Sequence, residues 1–428
     1  MKRSVFGILL VAVAAWVAGC GSPSQSGEKS AEKVVLAERG WDAFNRGRLE
    51  AFLNELGRAG AGYDANHPPY VVFDWDNTTI FLDIEEAALA YQLENLAFGA
   101  TPEELDTAIR AGIPAGDFVK DYNNAAGEPV NIGKIAPDII ESYTWLYQNF
   151  DGLKGKLPLD EVKKDPHYAD FIAKLRFLYD AISDTFEHSV SYPWVTYLFT
   201  GMTEAQVRKL TVATVNWQKT QPIGKVTWTS PATLPGKAGV VSVKWKNGLR
   251  LVAEMQDLYR AFREAGFDVW VCSASFIDVV REISSNPEFG YGNPADRVLA
   301  MELERDAAGR IQPEFRHGYD QTQGKGKTRS IERFLVSKYG YGPCFIGGDS
   351  EGDQNMMQDF PDTKLVLIVN RLRKPGTDLA KFCALAVESH GKADAKFLLQ
   401  GRDDNTGCFV KSQLHTKLGS TEGGLLSK

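Results

Sequence analysis

Two aspartates one residue apart end the apolar run of "YVVFDWDNTTI", and they are where the chain first asks for chemistry. A carboxylate at the end of a buried strand is costly unless a cation or hydrogen-bond donors answer it. Asp74 and Asp76 offer two roles, one as an anionic nucleophile and the other as a proton donor. Hard carboxylate oxygens also suit Mg²⁺, which takes one or two carboxylates, waters and substrate phosphate. Three other stretches complement the pair. In "VWVCSASF" Ser273 follows the apolar run Val269–Cys272, where its hydroxyl can donate to a phosphoryl oxygen. Ser275 is the better candidate for the plainer task of capping the next helix. In "GKGKTRSI" Lys327, four residues before Ile331, opens an amphipathic helix, and Lys325 in the Gly-flanked loop is the alternative. A lysine there can neutralise a carboxylate and a phosphoryl group together. In "CFIGGDSEGDQNMM" a buried strand breaks at Gly347 and Gly348 and then gives Asp349 and Asp353. The glycines would let backbone approach a ligand closely. Asp349 would complete a metal's ligand set, and Asp353 would orient Lys327 or a metal-bound water. Turn and N-cap roles are the plainer readings of these two acids.

The elements that must position these residues follow from periodicity. From Leu249 onward helices and strands alternate: "LRLVAEMQDLYRAFREAG", "FDVWVCSAS", "FIDVVREIS", "KTRSIERFLVSKYG", "PCFIGGDSEGD" and "KLVLIVN". Continuously apolar strands between amphipathic helices predict an α/β fold with a parallel sheet covered on both faces. In such sheets ligands bind at the carboxyl ends of the strands, where Asp74, Asp76, Ser273, Asp349 and Asp353 fall. Residues 35–60 read as helix. Between Ile80 and about residue 248 the pattern is mainly helical, with capping boxes from Thr101 to Glu104 and from Thr203 to Gln206. Alternation near "KVTWTS" and "VVSVKWKNG" predicts short strands or a hairpin.

"DWDNT", "VCSAS", "GKTRSI" and "GDSEGD", in that order, with Lys327 placed 22 residues before Asp349, resemble the four motifs of the haloacid dehalogenase (HAD) superfamily. Within it the chain looks like the phosphoserine phosphatase-like branch, and in "DNT", "SAS" and a long insertion after the first motif it looks like exported bacterial phosphatases of the phosphorylcholine phosphatase type. The resemblance implies a Rossmann-like core, residues 35–82 and 249–428, and a large, mainly helical cap, residues 83–248. It also implies a phosphoric monoester hydrolase acting on a small phosphorylated metabolite. Asp74 would attack phosphorus, and Asp76 would protonate the leaving alcohol and later deprotonate water. Ser273 and Lys327 would clamp phosphoryl oxygens, with Thr78 supporting the loop. Mg²⁺ would be held by Asp74, Asp349 and the backbone carbonyl of Asp76, with Asp353 behind them. The alternatives are a nucleotidase or broad acid phosphatase and, in another class, a non-catalytic phospho-ligand-binding lipoprotein on the same scaffold.

The remaining features bear on place and partner. Lys2 and Arg3 precede the apolar "VFGILLVAVAAWVAG", and "VAGC" resembles a bacterial lipobox. Residues 1–19 therefore read as a lipoprotein signal peptide and Cys20 as the lipidated residue. Residues 20–34 read as a flexible polar tether. The expectation is an exported protein anchored to a bacterial membrane, leaning to the outer one. A net charge of −7 with no basic block gives no sign of nucleic-acid binding. Cys272 and Cys344 sit in strand-like runs, while Cys383 and Cys408 are open to pairing. The insertion is rich in aromatics, among them Tyr143, Trp145, Tyr147, Phe150, Tyr192, Trp194, Tyr197 and Phe199. Most of these read as core, with one or two left to meet a quaternary ammonium group. Glu85 and Glu86 would either meet a substrate amine or stand exposed in a helix first turn. Arg402, Asp403 and Asp404 would lie in edge segments or reach the site mouth.

Overall fold

Tyr70–Phe73 is buried along its whole length, and the fold is built outward from it. A computed structural model of the chain describes residues 32–419 and the backbone of 424–425. The signal-like segment, Cys20 and most of the polar tether lie outside the described residues.

Helix α1 (Ala43–Leu56), capped by Asp42, precedes strand β1 (Tyr70–Phe73). After β2 (Ile80–Phe81) come α2 (Ile84–Asn95), α3 (Pro102–Arg110), α4 (Ile132–Asn149), the single turn α5 (Leu159–Val162), α6 (Pro166–Thr185), α7 (His188–Thr196) and α8 (Glu204–Gln218). Both capping boxes form: the Thr101 amide donates to Glu104 and the Thr203 amide to Gln206, each at 2.8 Å. The alternating residues pair as an antiparallel hairpin, β3 (Gly224–Thr229) with β4 (Ser242–Asn247). Strand β5 (Arg250–Leu251) then returns beside β2, so the inserted helices leave and rejoin through one two-stranded neck. They carry their own apolar core, with Leu105, Ile135, Tyr143, Phe171 and Trp194 at its centre.

The alternating half follows: α9 (Ala253–Glu264), β6 (Asp268–Phe276), α10 (Ile277–Ser285), β7 (Val298–Met301), then the hairpin β8 (Leu303–Arg305) and β9 (Ile311–Phe315). Helix α11 (Lys325–Ile331) runs through a π-helical stretch into α12 (Ser337–Tyr339). Next come β10 (Phe345–Gly348), α13 (Gln354–Asp359), β11 (Leu365–Val369), α14 (Asp378–Ser389) and β12 (Phe397–Gln400). Six strands pair in parallel in the order β12-β11-β10-β1-β6-β7. Alternate residues of β1 serve opposite faces. Val71 and Phe73 pack with Phe52 and Phe262, while Tyr70 and Val72 pack with Ile331, Leu335 and Met356.

The chain beyond residue 370 does provide an edge strand of the sheet, and it adds a helix that the sequence pattern did not show. It supplies α14, capped by Thr377 and burying Leu379, Phe382, Cys383 and Ala386, and β12 as the sixth sheet strand. Cys383 and Cys408 do not pair; one is buried in α14 and the other exposed. Ser275 does not cap α10, which has no side-chain cap, because β6 runs on to Phe276. The glycines of β10 make room for the chain itself rather than for a ligand. A Cβ at Gly347 would lie 2.6 Å from the Phe73 ring, and one at Gly348 would lie 2.5 Å from Met357 and 2.8 Å from Asp353.

Arg402 is buried and fastens the loop that follows β1. Its guanidinium donates to the Asn77 carbonyl at 2.7 Å and to Asn77 Oδ1 at 3.0 Å, and it lies 4.7 Å above the Phe81 ring. Asn77 has φ 61°, a left-handed conformation that Asn tolerates better than most residues. Asp404, wholly buried, faces Arg402 Nε at 2.9 Å and Lys246 Nζ at 2.7 Å. Breaking a buried pair leaves its partner uncompensated. Arg402→Met should therefore cost about 3 kcal/mol in urea unfolding, and a loss under roughly 1 kcal/mol would show that Lys246 alone satisfies Asp404.

Candidate active site

Parallel pairing sets the site. Phe73 lies opposite Gly347 on one side and Val271 on the other, so β10, β1 and β6 release their polar ends side by side. Asp74 leaves β1 with its amide on the Gly347 carbonyl at 2.9 Å. Lys327, in the first turn of α11, donates to Asp74 Oδ1 at 2.5 Å and to Asp353 Oδ1 at 2.6 Å. Lys325 is exposed, so Lys327 is the lysine that the fold brings to the aspartates. Asp353 Oδ2 accepts from the amides of Asp349 and Ser350, which closes the loop after β10 around it. The Thr78 hydroxyl stands between two carboxylates, 3.0 Å from Asp74 Oδ2 and 2.8 Å from Asp349 Oδ1.

Asp76 faces another way. Its Oδ1 accepts from the Ile84 amide at 2.7 Å, and its Oδ2 accepts from the Ser275 hydroxyl at 2.7 Å. Ser273 is 3.4 Å from that same oxygen, and its own Oγ accepts from the Ser275 amide. Ser275, which sequence reasoning left as a helix cap, is thus the serine in closer contact with Asp76. Burial pushes the Asp76 carboxyl up to about 6, against the pull of the Ile84 and Ser275 donors.

These groups open into a cavity of about 290 Å³. Its walls include Asp83, Glu85 and Glu86 at the start of α2, with Tyr179, His188 and Tyr192 from α6 and α7. Glu85 does lie in a helix first turn, but it is buried, and its Oε1 has no hydrogen-bond partner among the described residues. Burial, reinforced by Asp83 and Asp76, raises its pKa well above the carboxylate range. Glu86 pairs with Arg176 at 3.3 Å. Of the eight aromatics noted in the insertion, Tyr192 alone lines the cavity. Tyr143 and Trp194 are buried in the insertion's core, and Trp145 stacks on His167.

Arg371, which sequence reasoning missed, stands just past the end of β11 and donates to Asp349 Oδ2 at 2.7 Å. The signal was present: a basic "RLRK" follows an apolar strand, and the rule that picked out strand-end acids applies equally to a strand-end cation. Around the site Asp74, Asp76, Asp349 and Asp353 face Lys327 and Arg371, which leaves the carboxylates in excess. Burial, then the charges of Asp353 and Asp349, raise Asp74 well above its ordinary range despite Lys327. Burial works against the Lys327 ammonium, but Asp353 and Asp74 outweigh it and hold its proton. Asp74, Asp349 and Asp353 each offer an oxygen within 4.8 Å of the others. Asp353 already spends its oxygens on Lys327 and the loop, so Asp74 and Asp349 are the pair suited to a hard divalent cation.

The excess of acids has a pH signature. Asp76 is raised to about 6 and Asp180, beside Arg176, to about 7, both chiefly by burial. A carboxyl with a raised folded value contributes stability below its unfolded value and loses it as pH climbs through the folded one. With chelator present, the melting temperature should fall as pH rises from about 4 to about 7. Asp180→Asn should flatten the upper part of that decline, and a flat wild-type profile would contradict the raised carboxyl values.

No protein-family model matches the chain. A phosphorylcholine phosphatase of Pseudomonas aeruginosa is 22% identical over 239 residues, 56% of this chain and 50% of that protein. The chain thus spans about half the length of the curated relative it matches. A solved structure from Anaerococcus prevotii, described as conserved and functionally unknown, superposes with a TM-score of 0.82 at 31% identity, covering 88% of this chain and 97% of that one. Taken with the four motifs and the six-stranded parallel sheet whose carboxyl edge gathers them, these likenesses make the chain a member of the haloacid dehalogenase superfamily.

Proposed function

We propose that the protein is a Mg²⁺-dependent phosphomonoesterase that works through a phosphorylated Asp74. The observation that carries this reading is the Asp74 carboxylate at the sheet's carboxyl edge, braced by Lys327 and sharing Thr78 with Asp349. An Asp74 oxygen attacks phosphorus, the bond from phosphorus to the ester oxygen breaks, and Asp76 gives its proton to the departing alkoxide. In the second step Asp76 takes a proton from water, the water oxygen bonds to phosphorus, and the bond to Asp74 breaks to release phosphate. A carboxyl raised to about 6 suits this exchange near neutral pH. Lys327 and Ser273 would hold phosphoryl oxygens, and Thr78 would keep the loop in register. Mg²⁺, held by Asp74, Asp349 and the Asp76 carbonyl, would supply electrophilic stabilisation of charge on the phosphoryl group. The helices of residues 83–248 would act as a cap that excludes water from the cavity.

The wall of Asp83, Glu85 and Glu86 supports a leaving group that carries a positive charge, as in a phosphorylcholine-like ester. The unpaired Glu85 oxygen would gain most from it. The same acids favour a cationic leaving group over the uncharged nucleoside that a nucleotidase releases. Retention of Asp74 weighs against a scaffold that only binds. The N-terminal pattern supports export, with a lipid anchor on Cys20 and a site facing the periplasm or the outside.

Purified protein should release p-nitrophenol from p-nitrophenyl phosphate with Mg²⁺ and lose that activity in EDTA. Asp74→Asn should lower turnover by about 10⁴-fold in a variant that still unfolds cooperatively. Undiminished turnover in that variant would rule out the Asp74 route. Glu85→Gln should reduce kcat/KM for phosphorylcholine about tenfold and leave the p-nitrophenyl ester nearly unchanged. Equal losses on both esters would remove Glu85 from leaving-group recognition.

A further inference from the structure

Arg371 has no task in the chemistry above, yet it is built in with care. The residue before it, Asn370, is tied by its amide to the Gln400 carbonyl at 2.8 Å and by its side-chain nitrogen to the Gln413 carbonyl at 3.0 Å. The residue after it, Leu372, has φ 54°, a left-handed conformation unfavourable for a leucine, with its amide on Asn370 Oδ1. Such strain persists where the surroundings over-determine a backbone. The turn thereby fixes one side chain, whose guanidinium closes Asp349 Oδ2.

The two oxygens of Asp349 are consequently unlike. Oδ1 faces Thr78 and, through it, Asp74; Oδ2 faces Arg371. Asp74 is divided in the same way, with Oδ1 on Lys327 and Oδ2 on Thr78. Each carboxylate therefore presents a single oxygen toward the other. Lys327 cannot do this for Asp349, because its partners are Asp74 and Asp353. Nor does Arg373, which pairs with Glu351.

Ca²⁺ takes six to eight oxygens and accepts carboxylates in bidentate fashion, whereas the smaller Mg²⁺ demands near-octahedral geometry and usually keeps several waters. We propose that Arg371 is a specificity-determining positioning residue: by occupying Asp349 Oδ2 it confines that carboxylate to one ligating oxygen and biases the site toward Mg²⁺ over Ca²⁺. This rests on the reading that Asp74 and Asp349 hold a divalent cation.

The test is calorimetric titration of the metal-free, purified full chain with MgCl₂ and separately with CaCl₂, for the wild type, Arg371→Met and Arg371→Gln. Glutamine is too short to reach Oδ2, so it serves as the second variant should methionine disturb folding, and metal-free melting curves identify the variants that remain folded. Losing a positive charge tightens both ions alike, so the ratio of the two affinities is the quantity that reports on ligation. The Ca²⁺-to-Mg²⁺ affinity ratio should rise about tenfold in a folded variant. An unchanged ratio with both ions still binding would overturn the role of Arg371 and leave the metal reading standing. Failure of the wild type to bind Mg²⁺ would overturn both.

Discussion

A single ammonium holds together carboxylates that would otherwise repel one another. Lys327 Nζ lies between Asp74 and Asp353 in a buried setting and is the cation that both carboxylates share. Taking three charges out of water is expensive, and the cost is recovered only where every oxygen finds a good partner. That condition shapes the surroundings. Asp353 draws in the amides of Asp349 and Ser350, Thr78 bridges Asp74 and Asp349, and Arg371 completes Asp349. The charge still left over is what makes a divalent cation a fitting occupant.

The sheet turns this local demand into architecture. Four segments far apart in the chain arrive at one edge because β11, β10, β1 and β6 are parallel neighbours in that order. Three contribute residues just past their carboxyl ends, Arg371, Asp349 and Asp74, and β6 contributes Ser273 and Ser275 from its last four residues. The inserted helices add a second wall. Asp83, Glu85 and Glu86 face the cavity from α2, while α6 and α7 bring Tyr179 and Tyr192. One cavity thus joins an end where Lys327 and Arg371 stand among four carboxylates to a further acidic wall from α2.

Much of this was legible in the sequence. Continuously apolar runs marked the core strands, strand-end position singled out Asp74, Asp76, Ser273, Asp349 and Asp353, and a helix start singled out Lys327, all of which the fold gathers. What escaped depends on tertiary contacts that no local pattern encodes. Ser275 reads as a cap until β6 is seen to extend through Phe276, which turns its hydroxyl onto Asp76. Gly347 and Gly348 suggest a ligand's approach, but their space is taken by Phe73, Met357 and Asp353. Glu85 reads either as a partner for a substrate amine or as a solvated first-turn acid, and only the tertiary packing that buries it excludes the second. Arg402 is some 325 residues from the Asn77 loop it fastens, beyond the reach of any spacing argument.

The central claim is covalent: phosphorus passes through Asp74. Acid-quenching the enzyme during turnover, reducing with borohydride and mapping peptides by mass tests it directly. An acyl phosphate on Asp74 would be reduced to homoserine at position 74 and nowhere else. Rapid turnover with Asp74 unmodified, or a phosphoryl group trapped on another residue, would contradict the account.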